Sequence, residues 1–168
     1  MPRLGLGSGL GGGVFIEPRE IRITESSDFS SGTDLWGLSN FGSNTIAGAQ
    51  TVDGVADCLK VTIVNDTEFT IRRGSVADAT LDDNKDIHVS FDMYISSSTA
   101  SGTSHIFGGF FENQRAFSVT ANQWTSVSFS QTLGGVAGSF VGFTQQSADN
   151  FANGDFIAIK NYTITVYA

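Results

Sequence analysis

The dominant pattern along this chain is strict alternation of apolar and polar side chains, and it is sharpest over residues 88–95. There Val89, Phe91, Met93 and Ile95 alternate with His88, Ser90, Asp92 and Tyr94, the period of two expected of a strand with one buried face. Residues 154–168 carry the same signal in two phases. Tyr162, Ile164 and Val166 share one side and Thr163, Thr165 and Tyr167 the other, whereas Ile157 and Ile159 have the opposite parity. A bulge near Lys160-Asn161 would bring both apolar sets onto one face. A closing strand that runs to the last residues predicts a self-contained sheet domain.

Shorter alternating runs fill the rest. Ile21 and Ile23 mark a first strand, and 28–36 is a polar turn between the aromatic anchors Phe29 and Trp36. Residues 48–57 read as a loop. Leu59, Val61 and Ile63 form the next strand, with Phe69 and Ile71 as its expected paired neighbour. An acidic loop over 74–86 precedes the sharp strand, and a Ser/Thr/Gly loop over 96–104 follows it. Strands are then predicted over 106–111, 116–120, 124–130 and 140–144, with a polar stretch over 145–153 before the closing strand. About nine or ten short strands with turns between them predict an all-β chain folded as a two-sheet antiparallel sandwich.

Composition agrees. The 168 residues include 20 glycines, 14 phenylalanines and only 2 prolines, with few Lys, Glu or Leu, which favours strands and turns over helices. The length suits one domain, a sandwich over 20–168 preceded by an arm over 1–19. The arm is too glycine-rich for a helix, yet Leu4, Leu6, Leu10, Phe15 and Ile16 make it too apolar for a solvated linker. It is expected to mediate assembly. Gly7-Ser8-Gly9-Leu10-Gly11-Gly12 matches G-x-G-x-x-G, but no strand pattern precedes it and no helical pattern follows, so it fails as a dinucleotide motif.

Charge and cysteine use narrow the function classes. The formal charge is -8, with six basic and fifteen acidic residues over 25–168, which argues against a nucleic-acid partner. No run approaches the roughly 18 apolar residues of a membrane-spanning helix. Residues 1–16 do not resemble a signal peptide, because glycine interrupts each apolar run, so synthesis and folding in a cytoplasm are expected. Cys58 is the single cysteine and reads as a small buried apolar residue at a strand start.

Motifs for catalysis are thin. His88 and His105 lie far apart, with no Ser/His/Asp order or metal-ligand spacing that includes them. Asp82-Asp83-Asn84-Lys85-Asp86 opens like a calcium loop, but Ile87 replaces the required glycine and Met93 the terminal glutamate. Asn65-Asp66-Thr67 and Asn161-Tyr162-Thr163 match the glycosylation pattern. Trp36, Trp124 and Tyr94 are the aromatic residues suited to stack on sugar rings. Trp124 shares parity with Ser126 and Ser128, opposite Val127 and Phe129, which places it on the less buried face or at the strand entrance.

Taken together, Asp28-Phe29, Trp36, Cys58-Leu59-Lys60-Val61-Thr62, Val89-Ser90-Phe91-Asp92-Met93-Tyr94, Trp124 heading a strand, and the stretch over 154–164 resemble the jelly-roll carbohydrate-binding modules of glycoside hydrolases, a fold also found in bacteriophage virion proteins. The resemblance covers roughly 26–168 and implies a jelly-roll β-sandwich. Members commonly hold a structural calcium through an acidic residue after the first aromatic and an aspartate in the closing strand. Ser30 and Lys160 stand at those positions here, so the resemblance implies no such calcium, with Lys160 offering positive charge in its place. No cofactor is expected.

Two functions follow as expectations. The first is a virion structural protein, made in the host cytoplasm: a bacteriophage capsid decoration (cement) or tail-associated protein docking on a viral shell or tail protein through its arm, with homo-oligomeric contacts. The alternative is a carbohydrate-binding module or adhesin that contacts a host glycan. An enzyme is not expected, since no nucleophile, acid/base pair or metal cluster emerges.

Overall fold

A computed structural model describes residues 20–40, 43–64, 69–73, 85–96, 103–108, 114–132, 141–145 and 151–167. These form eleven strands, and no helix occurs among the described residues. One sheet contains β1 (Ile21–Ser27), β3 (Thr45–Val52), β4 (Val55–Thr62), β6 (Asp86–Ile95), β9 (Thr125–Thr132) and β11 (Phe156–Tyr167). Its order is β3-β4-β11-β6-β9, with β1 also paired to β11. The other contains β2 (Trp36–Asn40), β5 (Phe69–Arg73), β7 (Thr103–Gly108), β8 (Gln114–Ser118) and β10 (Val141–Gln145), in the order β2-β5-β10-β7-β8. Every pairing is antiparallel.

The twelve-residue β11 is the hub. Along one edge it pairs with β6; along the other it pairs with β4 through Phe156 to Ile159 and with β1 through Tyr162 to Tyr167. Its register shifts between Lys160 and Thr163, and Asn161 has φ 52°. That is the bulge the change of parity requires. It puts Ile157, Ile159, Tyr162, Ile164 and Val166 into one core despite their two phases. From β6, Val89, Phe91, Met93 and Ile95 join them, and Trp36, Ile71 and Phe117 face them from the second sheet. Phe91 meets Phe117 edge-on with centroids 5.2 Å apart, so aromatic pairs bridge the two layers. Each fully buried aliphatic or aromatic side chain of this set contributes about 1.5–3 kcal/mol.

The turn over 28–36 is held by its own polar groups. Asp34 Oδ2 accepts from the Phe29 N–H at 2.7 Å, and Asp28 Oδ1 accepts from the Ser30 N–H at 3.0 Å and Oγ at 2.9 Å. Those bonds hold the Asp28 carboxyl below the usual carboxylate range. They also fix Phe29 in the left-handed region, φ 59°, with its ring fully buried. Gly48 packs against this turn so closely that a Cβ there would overlap the Gly32 carbonyl. Between the layers, Arg73 of β5 forms an ion pair with Glu25 of β1, and their side chains are only 12% and 11% exposed.

Three strand-level expectations need correction. Residues 48–57 are not a loop but most of the β3–β4 hairpin, closed at Asp53-Gly54 with φ 50° and 76°. Positive φ at both positions suits a tight two-residue turn, and Asp-Gly supplies it. Phe69 and Ile71 do not pair with the Leu59 strand: β5 lies in the other sheet, between β2 and β10. Trp36 also heads a strand of its own.

Candidate functional site

Strand alternation that buries one side of β6 turns His88, Ser90, Asp92 and Tyr94 outward. Neighbouring strands add Lys60 from β4, Lys160 and Phe156 from β11, and Ser126, Ser128 and Ser130 from β9. Register fixes the rows. Ala158 lies between Lys60 and Tyr94, while Asp92 lies between Lys160 and Ser126.

At one end this outer face carries a second apolar cluster, in which Val52, Cys58 and Ala158 are buried and Val55, Tyr94, Trp124 and Phe156 are half-buried around them. The Tyr94 and Phe156 rings stack at 5.7 Å with planes 5° apart, and Trp124 tilts against Tyr94 at 5.6 Å. Lys60 Nζ stands 4.2 Å above the Phe156 ring centre. The small, fully buried Ala158 side chain leaves room for these rings to close over the sheet.

Beside the rings lies an open pocket of about 260 Å³, lined by Val55, Asp92, Trp124, Ser126, Lys160 and Asn161. Asp92 is held from both sides: Ser126 Oγ donates to Oδ1 at 2.5 Å and Asn161 Nδ2 donates to Oδ2 at 2.7 Å. The bulge thus does two things, since it rephases β11 and swings Asn161 onto Asp92. Trp124 Nε1–H is buried without a hydrogen-bond partner. Farther along the face, His88 bridges Ser130 Oγ (Nδ1, 2.9 Å) and Ser128 Oγ (Nε2, 3.2 Å).

Of the residues proposed to stack on sugar, Tyr94 and Trp124 stand together on this face. Trp36 does not. It is 3% exposed, packs edge-on to Tyr162 and donates from Nε1 to Ser27 Oγ at 3.0 Å, so its indole belongs to the core. The reason is its place at the head of β2, whose inner face Trp36 fills. Phe156, Lys60 and the Asp92–Asn161 pair were missed; the parity that Phe156 shares with Lys160 was the available signal. The arm residues Leu4, Leu6, Leu10, Phe15 and Ile16 lie outside the described residues, as does most of the acidic stretch over 82–86.

Cys58 is fully buried, and its Sγ lies 3.3 Å from the Val55 carbonyl. Burial pushes its thiol pKa up, with the Lys160 charge opposing. His105 lies in β7, on the sheet that does not contain His88. Neither Ser30 nor Lys160 fits a calcium: Ser30 offers no anionic oxygen and its hydroxyl is turned onto Asp28, while Lys160 brings a cation to the outer pocket. Among the described residues no three His, Cys, Asp or Glu side chains gather as a metal site.

The fold is shared with solved structures. A family 16 carbohydrate-binding module superposes with a TM-score of 0.55 at 14% identity, over 82% of this chain and 95% of that one. This chain has the jelly-roll fold of carbohydrate-binding modules. A family 11 module from Clostridium thermocellum, solved with a β-1,3-1,4-mixed-linked tetrasaccharide, superposes at 0.54 with 12% identity, covering 88% of this chain and 96% of that one. The enzymatically active domain of tailspike protein 4 from bacteriophage CBA120 superposes at 0.53 with 14% identity, over 79% of this chain but only 19% of that one. No protein-family profile matches the sequence, and no curated protein matches it.

Proposed function

We propose that this protein is a carbohydrate-binding module whose glycan site is the outer face of the six-stranded sheet. The observation that carries the reading is the half-buried cluster of Tyr94, Trp124 and Phe156 beside an open pocket, on a face that also presents polar side chains such as His88, Asp92, Ser126, Lys160 and Asn161. Flat rings give apolar area to sugar C–H groups, and fixed polar groups such as Asp92 and Asn161 hold hydroxyls in register. The jelly-roll likeness supports this reading as one of fold, while the site itself is argued from the residues. The protein acts here as a binder and not a catalyst: among the described residues Asp92 is the one carboxylate lining the pocket, and two hydrogen bonds hold it as an acceptor.

The virion reading rests on the arm, which lies outside the described residues, and on a tailspike likeness that concerns fold alone. It remains compatible, since a virion sandwich can carry a glycan site. A glycan array probed with wild-type protein and with Trp124→Ala tests the proposal. Hits that vanish in a variant that melts close to the wild type support it; hits of unchanged strength in the variant refute this face as the site.

A further inference from the structure

We infer that the protein pairs with a second copy of itself along the outer edge of β9, joining two six-stranded sheets into one continuous sheet. The inference rests on how the sheet edges are guarded and does not depend on what the outer face binds. An edge strand presents backbone N–H and C=O groups that invite another strand, and proteins blunt it with bulges, charges or short length. Among the described residues the other edges are blunted in these ways. β3 shifts register twice against β4, with Ala49 at φ 52°. β1 shifts between Ile21 and Ile23 and carries Arg22 and Glu25. β2 and β8 are five residues each. By contrast, the eight residues of β9 pair with β6 in unbroken register and include no charged residue, glycine or proline. Among the described residues β9 pairs with β6 alone, so alternate residues turn their N–H and C=O groups away from the sheet.

A second copy matches this edge on both faces. Alternation limits antiparallel pairing to registers that keep inner face with inner face. A two-fold axis at Ser128 meets that condition, setting Ser126 opposite the partner's Ser130 and Val127 opposite the partner's Phe129. Serine then meets serine outside and apolar meets apolar inside. Phe129 and Phe117 pack on the core but are only half-buried, and Phe117 lies on β8, the edge strand of the other sheet. This flank therefore keeps apolar area that a second copy covers. The chain has a net charge of -8, yet the carboxylates of Asp86 and Asp92 sit one strand back, so β9 itself brings no like charges to the seam. Each copy uses up its own β9 edge, so the contact closes at two. The same axis brings the partner's Thr132 beside Trp124, at the edge of the aromatic cluster.

Sedimentation of the full chain from about 1 to 300 μM tests this, since one strand pairing makes a small interface with a dissociation constant on the order of 10 μM. The mass should climb from 17.8 kDa toward twice that value, and added salt should favour the dimer by screening the two acidic bodies. Ser128 is exposed, and Ser128→Lys puts two ammonium groups at the axis; it should weaken association at least about tenfold. Thr45→Lys, exposed on the bulged β3 edge, should leave association unchanged. Hydrogen exchange on the wild type needs no variant: β9 amides should exchange more slowly at high concentration than at low, while β1 and β3 amides do not change. A single 17.8 kDa species across the whole range overturns the inference. So does a dimer whose β9 amides gain no protection, whatever Ser128→Lys does, because the contact then lies elsewhere.

Discussion

The Trp36 indole stands edge-on to the Tyr162 ring, centroids 4.8 Å apart and planes at 79°, joining the first strand of one sheet to the hub strand of the other. Phe29 packs against the same indole at 6.2 Å. Trp36→Ala should therefore lower unfolding free energy by about 3–5 kcal/mol, the range for a large buried aromatic. Trp124→Ala, at a half-buried ring of the outer face, should cost about 1–2 kcal/mol. Chemical denaturation of both variants checks the contrast. Equal losses would mean that the two indoles are not divided between core and surface.

The Glu25–Arg73 ion pair ties β1 to the opposite sheet at nearly buried positions. Glu25→Gln strands a guanidinium there and should cost about 2–4 kcal/mol, whereas replacing both partners by Gln and Met should cost less than the single change. Denaturation of the single and double variants decides it. A double variant weaker than Glu25→Gln would show that the pair is not a unit.

Gly48 meets the Gly32 carbonyl with no room for a methyl group. Gly48→Ala should cost at least about 2 kcal/mol, because the clash is with backbone and not with a flexible side chain. Gly37→Ala has open space around the added Cβ and serves as the control. A thermal melt of each distinguishes them.

Burial pushes the Tyr162 hydroxyl well above its ordinary pKa. At pH values below about 9 both folded and unfolded chains keep the proton and the effect is negligible. Above that, the unfolded chain ionises first, so stability falls as pH rises. Tyr162→Phe removes this contribution, and its unfolding free energy should fall less steeply between neutral and alkaline pH than that of wild type. Parallel slopes would contradict the burial assigned to this hydroxyl.

The sandwich was legible because β6 and β11 repeat one simple rule, burial every second residue, and because the parity change at Lys160-Asn161 could be resolved only by a bulge. The β3–β4 hairpin was not, since its outer positions are weakly apolar and its signal reduces to Asp53-Gly54. The partner of β5 was hidden for another reason: register and alternation say which face a strand buries, not which sheet it joins. The two tryptophans show the same limit at the site. Parity turned Trp124 outward with Ser126 and Ser128, but Trp36 heads a five-residue strand too short to show its phase, and only the tertiary packing puts it inside. Lys60 and Asn161 reach the site through cross-strand neighbours far away in sequence, which no local pattern carries.

The central claim is that glycan meets Trp124 on the outer face while Trp36 remains in the core. The chain has two tryptophans, so a proton–nitrogen NMR spectrum holds two indole N–H signals, assigned by comparison with Trp124→Phe. Titration with the strongest array hit should move the Trp124 signal progressively and leave that of Trp36 in place. A titration that shifts neither indole while calorimetry still reports binding, or that shifts Trp36 alone, would contradict the account.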